Sequence, residues 1–317
     1  TFLSAYGPQG AAGGMWECPD LFRLPVDGDA DDVRWVLLIS LNPGGIAGGS
    51  GTHYVIGDFD GTVFHPAAPH PAADRELMRD RSQSPEELEA FGWIDFGPDC
   101  YAGVTFDGLA RHERTLVAWM DNWDYAGRIL ADDSDGPRSA MTLPRRLSLT
   151  RDQRGVERLR QEPVIDFGSG ESTDLGSLAG SVRLAEGLAG AARIRFTAEF
   201  GDAQGVELRI ESASDEERVV IRQDRASGRI ELERPGSGMP SGFPGSPSMR
   251  VDQPGEIEWD LWIDALNERV SSVELFAQNG ERVLTALIPS ASPRTCSVAA
   301  IGGTLRGARA AVVEWEC

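Results

Sequence analysis

Lysine is absent from this chain. All thirty basic residues among its 317 are arginine, against fifty Asp and Glu, for a formal net charge of -20. A nucleic-acid partner is not expected, because holding a phosphate backbone takes clustered positive charge. Such an acidic balance is a lever that salt-adapted proteins use, and a halophilic source, or failing that a very GC-rich genome, fits the missing Lys. Histidine is also scarce, with four residues, and the four cysteines at 18, 100, 296 and 317 form no C-x-x-C pair. A metal site therefore has little support. Cys296 and Cys317 share the terminal region and are candidates for a bridge in an oxidising compartment, or for two free thiols. No uninterrupted apolar run approaches the ~20 residues of a membrane helix, so a soluble chain with no membrane partner is expected. The first residue is Thr1, with no charged start and apolar centre behind it. Translation is not expected to begin there.

Long helical periodicity is lacking as well. Short apolar runs recur instead, divided by Gly, Pro, Asp and Asn: Arg34 to Asn42, Thr52 to Phe64, Cys100 to Phe106, Arg114 to Trp123 and Met141 to Thr150. Alternation of this kind reads as strand. Only "SPEELEA" (Ser84 to Ala90) reads as a short helix, with Ser as its cap and acids in its first turn. From Arg151 to Pro163 the texture turns polar and charged, which reads as a connector. Two β domains are expected, 1–158 and 163–317.

The alternation beyond that point is cleaner. In "GVELRIES" Val206, Leu208 and Ile210 share one face and Glu207, Arg209 and Glu211 the other; Ile257, Trp259, Leu261 and Ile263 alternate with Glu258, Asp260, Trp262 and Asp264. Asn279-Gly280 between two such runs is a strong hairpin signal. Strands at this spacing predict a sandwich.

Chemistry is concentrated in "WECPDLF" (Trp16 to Phe22), where a carboxyl stands between a large ring and a thiol, and Pro19 removes a backbone donor. One reading is a held, working acid; the other is a loop Glu at the end of a strand. Two acidic stretches are better explained as local structure. "GDFDG" (Gly57 to Gly61) suits a tight turn between strands more than a sugar contact. "DGDADD" (Asp27 to Asp32) opens like a calcium loop, but Asp32 and Leu38 stand where the turn Gly and the bidentate Glu belong, which leaves a solvated loop.

Six blocks in order, "WECPDLF", "GDFDGTVF" (Gly57 to Phe64), "DFGPDCYAGVTF" (Asp95 to Phe106), "WMDNWDYA" (Trp119 to Ala126), "MTLPRRLSL" (Met141 to Leu149) and "SSVELFAQNGERVLTALIP" (Ser271 to Pro289), resemble glycoside hydrolase family 32. That family contains invertases, inulinases, levanases and fructosyltransferases. The resemblance runs from Trp16 onward and implies an all-β fold, the later blades of a five-bladed β-propeller followed by a C-terminal β-sandwich. It implies a β-fructofuranoside substrate, no cofactor, and a secreted, extracellular enzyme. By resemblance Glu17 is the acid/base of a retaining mechanism, with Trp16 as an apolar wall beside it and Cys18 as a near-site thiol rather than a nucleophile.

Trp119 and Trp123 match tryptophans near the family's pocket, with ordinary packing as the alternative, and Asn122 comes with the same block as a substrate contact. Asp99 and Tyr101 match a block that contacts sugar, although Cys100 replaces Phe and Val104 stands where a polar residue is common. The N-D-P-N-G stretch that carries the nucleophilic Asp and the R-D-P stretch are absent from this sequence. A preceding segment of the same enzyme is therefore the expected partner that supplies the nucleophile. A non-catalytic carbohydrate-binding or structural fragment, or a fructosyltransferase, is the alternative.

Overall fold

The computed structural model describes residues 15–67, 88–89, 91–129, 139–152, 154–165, 168, 170–212, 218–234, 243, 246–252, 255–290 and 292–315. The helix expected at Ser84 to Ala90 lies outside them except at Leu88 and Glu89, which are helical. Cys317 lies outside as well, and with it the possible bridge to Cys296, a buried thiol.

Strand dominates the described chain, as the alternation predicts. The chain divides into two compact units, Thr1–Trp123 with Met141–Val164, and Asp124–Ala140 with Ile165–Cys317. The first ten strands are β1 (Met15–Val26), β2 (Asp29–Asn42), β3 (Gly51–Phe59), β4 (Phe64–Pro66), β5 (Gly92–Trp93), β6 (Tyr101–Thr105), β7 (Thr115–Met120), β8 (Ala140–Met141), β9 (Arg145–Arg151) and β10 (Glu157–Pro163). They form one sheet in the order β4-β3-β2-β1-β9-β7-β6, with β10 on β9, β5 on β3 and β8 on β7. Period-two alternation turns Phe22, Leu24 and Val26 of β1 and Val36 and Leu38 of β2 into one core with Tyr54, Ile94, Leu116, Leu147, Leu149 and Leu159.

Two local features differ from the sequence reading. The stretch Arg151 to Pro163, which reads as a connector, contains β10, paired antiparallel with β9 from Glu157↔Arg151 to Pro163↔Arg145. Its charged residues conceal only two inward positions, Leu159 and Gln161. Gln161 accepts from Arg145 and donates to the Ile94 carbonyl, so a polar residue fills a core position with its hydrogen bonds made. Asp27 to Asp32, read as a solvated loop, is the β1–β2 hairpin: Asp27 and Gly28 take φ of 49° and 78° between Val26 and Asp29. An Asp-Gly pair with both residues at positive φ is the turn that matches strand twist. Asp60 is a turn residue too, its Oδ1 accepting the N–H groups of Thr62 at 2.8 Å and Val63 at 2.7 Å.

In the second unit the strands are β11 (Thr173–Leu178), β12 (Ser181–Leu188), β13 (Ala191–Glu199), β14 (Gly205–Glu211), β15 (Val219–Asp224), β16 (Arg229–Glu233), β17 (Ser248–Arg250), β18 (Glu256–Ala265), β19 (Val270–Ala277), β20 (Arg282–Pro289), β21 (Arg294–Ile301) and β22 (Leu305–Trp315). They build two six-stranded sheets, β11-β22-β13-β18-β19-β20 and β12-β21-β14-β15-β16-β17. Trp259 of the first sheet, fully buried, donates its indole N–H to Gln223 of the second at 3.0 Å and packs on Phe196 at 6.2 Å. This is the sandwich the alternation predicts. Gln278, Asn279 and Gly280 all take positive φ in the β19–β20 hairpin, where Asn-Gly marks the turn.

Candidate active site

Glu17 lies at a break in register. On β1 and β2, Glu17 pairs with Ser40 and Asp20 with Leu38, so Cys18 and Pro19 together oppose one residue, Ile39. This is a β-bulge, and Cys18 in it takes φ of 46°. Proline suits the position, because a bulged residue has no ladder bond to donate. A second bulge lies on β6: Tyr101 pairs with Trp119 and Val104 with Val117, so Ala102 and Gly103 oppose Ala118, and Ala102 takes φ of 53°. Left-handed φ at a residue other than glycine costs about 1–3 kcal/mol each and persists only where the surroundings enforce it.

The residues just before the two bulges meet. The Tyr101 hydroxyl donates to Glu17 Oε2. Burial first, then this bond and the carboxylate's charge, hold the Tyr101 hydroxyl above its usual range, so it stays protonated as the donor. The Tyr101 ring is buried and lies edge-on to Trp119 at 6.3 Å, and Trp119 meets Trp123 at 5.1 Å. Trp123 is 57% exposed, so packing into the core is not its role. One part-buried carboxylate thus stands at the end of a row of rings that reaches solvent.

Trp16 is placed otherwise than as a wall beside Glu17. Neighbouring side chains of a strand point to opposite faces. The Trp16 ring packs edge-on to His53 at 6.3 Å, and His53 is enclosed by Phe91 at 6.5 Å and Trp93 at 5.8 Å. This aromatic buttress was not legible in the sequence, where His53 is one residue of an apolar strand. Cys18 is exposed within the bulge.

Asn122 is fully buried, its amide donating to the carbonyls of Pro98 at 2.8 Å and Gly48 at 3.2 Å while Oδ1 accepts the Ser50 N–H at 3.3 Å. Those bonds fix the loop before β3, and the backbone N–H of Trp123 donates to Ser50 Oγ at 3.3 Å. Asp99 is also fully buried, two residues before Tyr101. The structure therefore gathers Glu17, Cys18, Tyr101, Trp119 and Trp123 at one place, sends Trp16 to the other face, and buries Asp99 and Asn122 in the scaffold. Among the described residues no cluster of His, Cys, Asp and Glu could hold a metal ion, and no helix is long and apolar enough to cross a membrane.

A carboxylate at a strand bulge, bonded by a buried phenol with an exposed indole nearby, thus stands on the all-β first unit. Residues 1–163 match the N-terminal domain of glycosyl hydrolases family 32, and residues 155–314 match that family's C-terminal domain. The chain belongs to glycosyl hydrolase family 32.

It is 32% identical to the extracellular exo-inulinase of Aspergillus awamori over 98% of this chain and 57% of the relative. It is 31% identical to the levanase of Bacillus subtilis over 96% of this chain and 44% of that protein. The chain thus spans about half the length of these relatives. The crystal structure of the Aspergillus awamori exo-inulinase superposes with a TM-score of 0.80 at 29% identity, covering 98% of this chain and 59% of that one. The β-fructofuranosidase of Schwanniomyces occidentalis complexed with fructosyl-erythritol, at 20% identity and a TM-score of 0.73, shares the fold.

Proposed function

We propose that this chain is part of a glycoside hydrolase acting on β-fructofuranosides, sucrose or fructans such as inulin and levan, by a retaining double displacement. The observation that carries the reading is the Glu17 carboxylate, bonded by Tyr101 between two bulges and reached from solvent along Trp123 and Trp119. In such a mechanism one carboxyl protonates the leaving oxygen and later takes a proton from water, while a second carboxylate attacks the sugar. Glu17 is the first of these. Trp119 and Trp123 offer flat faces to a furanose ring, Tyr101 and Cys18 complete the near wall, and Trp16, Asp99 and Asn122 contribute to the sugar site from the scaffold behind it.

The second carboxylate is the Asp of an N-D-P-N-G segment, which this sequence does not contain. An N-terminal segment of the same enzyme supplies it about 5–5.5 Å from Glu17, the spacing of a retaining pair. Residues 1–158 then form the later blades of a five-bladed propeller, and 163–317 its C-terminal sandwich. Names such as extracellular exo-inulinase among the relatives support a secreted enzyme, and the charge of -20 supports a halophilic one.

The test is to co-express the chain with a family segment carrying N-D-P-N-G and to follow fructose release from sucrose, inulin and levan, reading the first anomer formed by NMR. Release only in the joint preparation, with the β-anomer first, is expected. Full activity of the chain alone, or the α-anomer first, would contradict the proposal.

A further inference from the structure

The bond between Glu17 and Tyr101 closes one end of the two bulges, and another closes the far end. Asp20 Oδ2 accepts both the backbone N–H of Thr105 at 2.8 Å and its hydroxyl at 2.6 Å. Phe106 donates its N–H to Thr115 on β7, so the Thr105 N–H one residue earlier faces the other edge of β6. Among the described strands that edge is the end of the sheet. Asp20 gives the donor there the acceptor that no described strand offers it.

Arg114 secures the same corner, donating to Thr105 Oγ1 at 3.3 Å and to the Phe106 carbonyl at 3.0 Å while its guanidinium lies over the buried Phe22 ring at 5.2 Å. Between the two bridges lie the register-breaking residues Cys18 and Pro19 on β1 and Ala102 and Gly103 on β6, followed there by the paired Val104. A single hydrogen bond leaves two strained bulges free to pivot about it. Two bridges, one at either end, fix their relative position.

We infer that Asp20 is a positioning residue for Glu17, acting through Thr105 and the β6 bulge on the Tyr101 hydroxyl; this rests on the acid/base role proposed above. Asp20 makes its bonds at the far end of the bulges, and its effect reaches the reacting atoms through geometry alone. Displacement of a working group by about 1 Å costs something like 10²-fold in rate.

The test is made in the complete enzyme, with Glu17→Gln, Asp20→Ala, Asp20→Asn, Thr105→Val, Tyr101→Phe and the double variant Asp20→Ala/Tyr101→Phe. Expected is a fall in kcat of about 10²-fold for Asp20→Ala with KM unchanged, a smaller fall for Thr105→Val, and recovery of most of the rate in Asp20→Asn, which keeps an acceptor. Once Tyr101→Phe has removed the hydroxyl, the added cost of Asp20→Ala should largely vanish, because both act through one contact.

Wild-type kcat in Asp20→Ala, or an equal cost in the Tyr101→Phe background, overturns the proposal. If Asp20→Ala does not fold, Asp20→Asn and Thr105→Val carry the test, and wild-type kcat in both overturns it. A dead Glu17→Gln with unaffected Asp20 variants removes the positioning role alone, whereas an active Glu17→Gln removes both readings.

Discussion

The two units break their strand ladders in different places. In the second unit β13 pairs with β18 from Ala192↔Ile263 to Glu199↔Glu256, and β18 with β19 from Trp259↔Ala277 to Ala265↔Ser271, without a break in register. Its register shifts fall on the ladders of β11 and β13 with β22 and of β12 with β21, and Trp259 and Trp262 are buried. In the first unit the register breaks after Glu17 and after Tyr101. Both units bury polar groups, here Ser40, Thr52, Asp95, Asp99, Asn122 and Arg145, but among the described residues only this one sets its breaks beside an exposed tryptophan, Trp123. Unbroken ladders give stability. Broken ones re-aim side chains, at a cost that the rest of the sheet must offset.

The sharpest way to break this contrast is to exchange the consequences. Glu17→Gln in the complete enzyme should lower turnover of an unactivated fructoside by roughly 10²–10⁴-fold with the urea midpoint unchanged. Trp259→Ala should do the reverse, removing about 3–5 kcal/mol of stability, read by urea denaturation, with catalysis per folded molecule preserved. A Glu17 variant that unfolds, or a Trp259 variant that folds normally but is inactive, would end the division of labour.

Burial of polar groups in the first unit gives the next effect. Arg145, fully buried, donates to Asp95 at 2.9 Å and to Gln161 at 3.2 Å. Arg145→Met leaves the Asp95 carboxylate buried without its cation, at a cost of about 3–5 kcal/mol. Adding Asp95→Asn should recover part of the loss; a double variant no better than the single one would show that charge is not the reason.

A smaller effect separates the units by pH. Burial alone would raise the Glu207 carboxyl, but bonds from Arg222, at 2.7 Å, and Arg209 overcome it and hold the carboxyl below the ordinary Glu value of 4.5. A depressed carboxyl stabilises the fold above its unfolded value, and that contribution is lost as pH falls through the folded one. Melting temperature followed from pH 7 down should therefore drop below about pH 4.5, and Glu207→Gln should start lower and drop less. An identical slope in the variant would sever Glu207 from acid denaturation.

The smallest expected change is with salt. Screening relieves repulsion among fifty acids against thirty bases, so melting temperature should rise from low to molar salt. A flat or falling curve would contradict the halophilic reading.

Much of this was legible because strand alternation and turn chemistry are local. Ile257, Trp259, Leu261 and Ile263 turned inward as their spacing predicts, and the Trp-Glu-Cys-Pro-Asp stretch marked the candidate acid. What was hidden depends on pairing across the sheet. Tyr101 and Thr105 stand 84 and 85 residues from Glu17 and Asp20, and no spacing rule links them. The bulges were invisible for the same reason, since a bulge is a relation between two strands. Asn122 read as a sugar contact by its block, but its amide is bound by backbone carbonyls. The β10 strand was hidden by its charges, because Gln161 stands in for an apolar residue with its amide oxygen bonded by Arg145 and its amide nitrogen bonded to the Ile94 carbonyl.

The central claim is that Glu17 moves the proton of the leaving group. In the complete enzyme, the first equivalent of leaving group released by Glu17→Gln should be compared on sucrose and on a fructoside whose leaving group departs without protonation. A loss of roughly 10²–10⁴-fold on sucrose and a far smaller one on the activated fructoside are expected. Equal losses on both substrates, or no loss on sucrose, would contradict it.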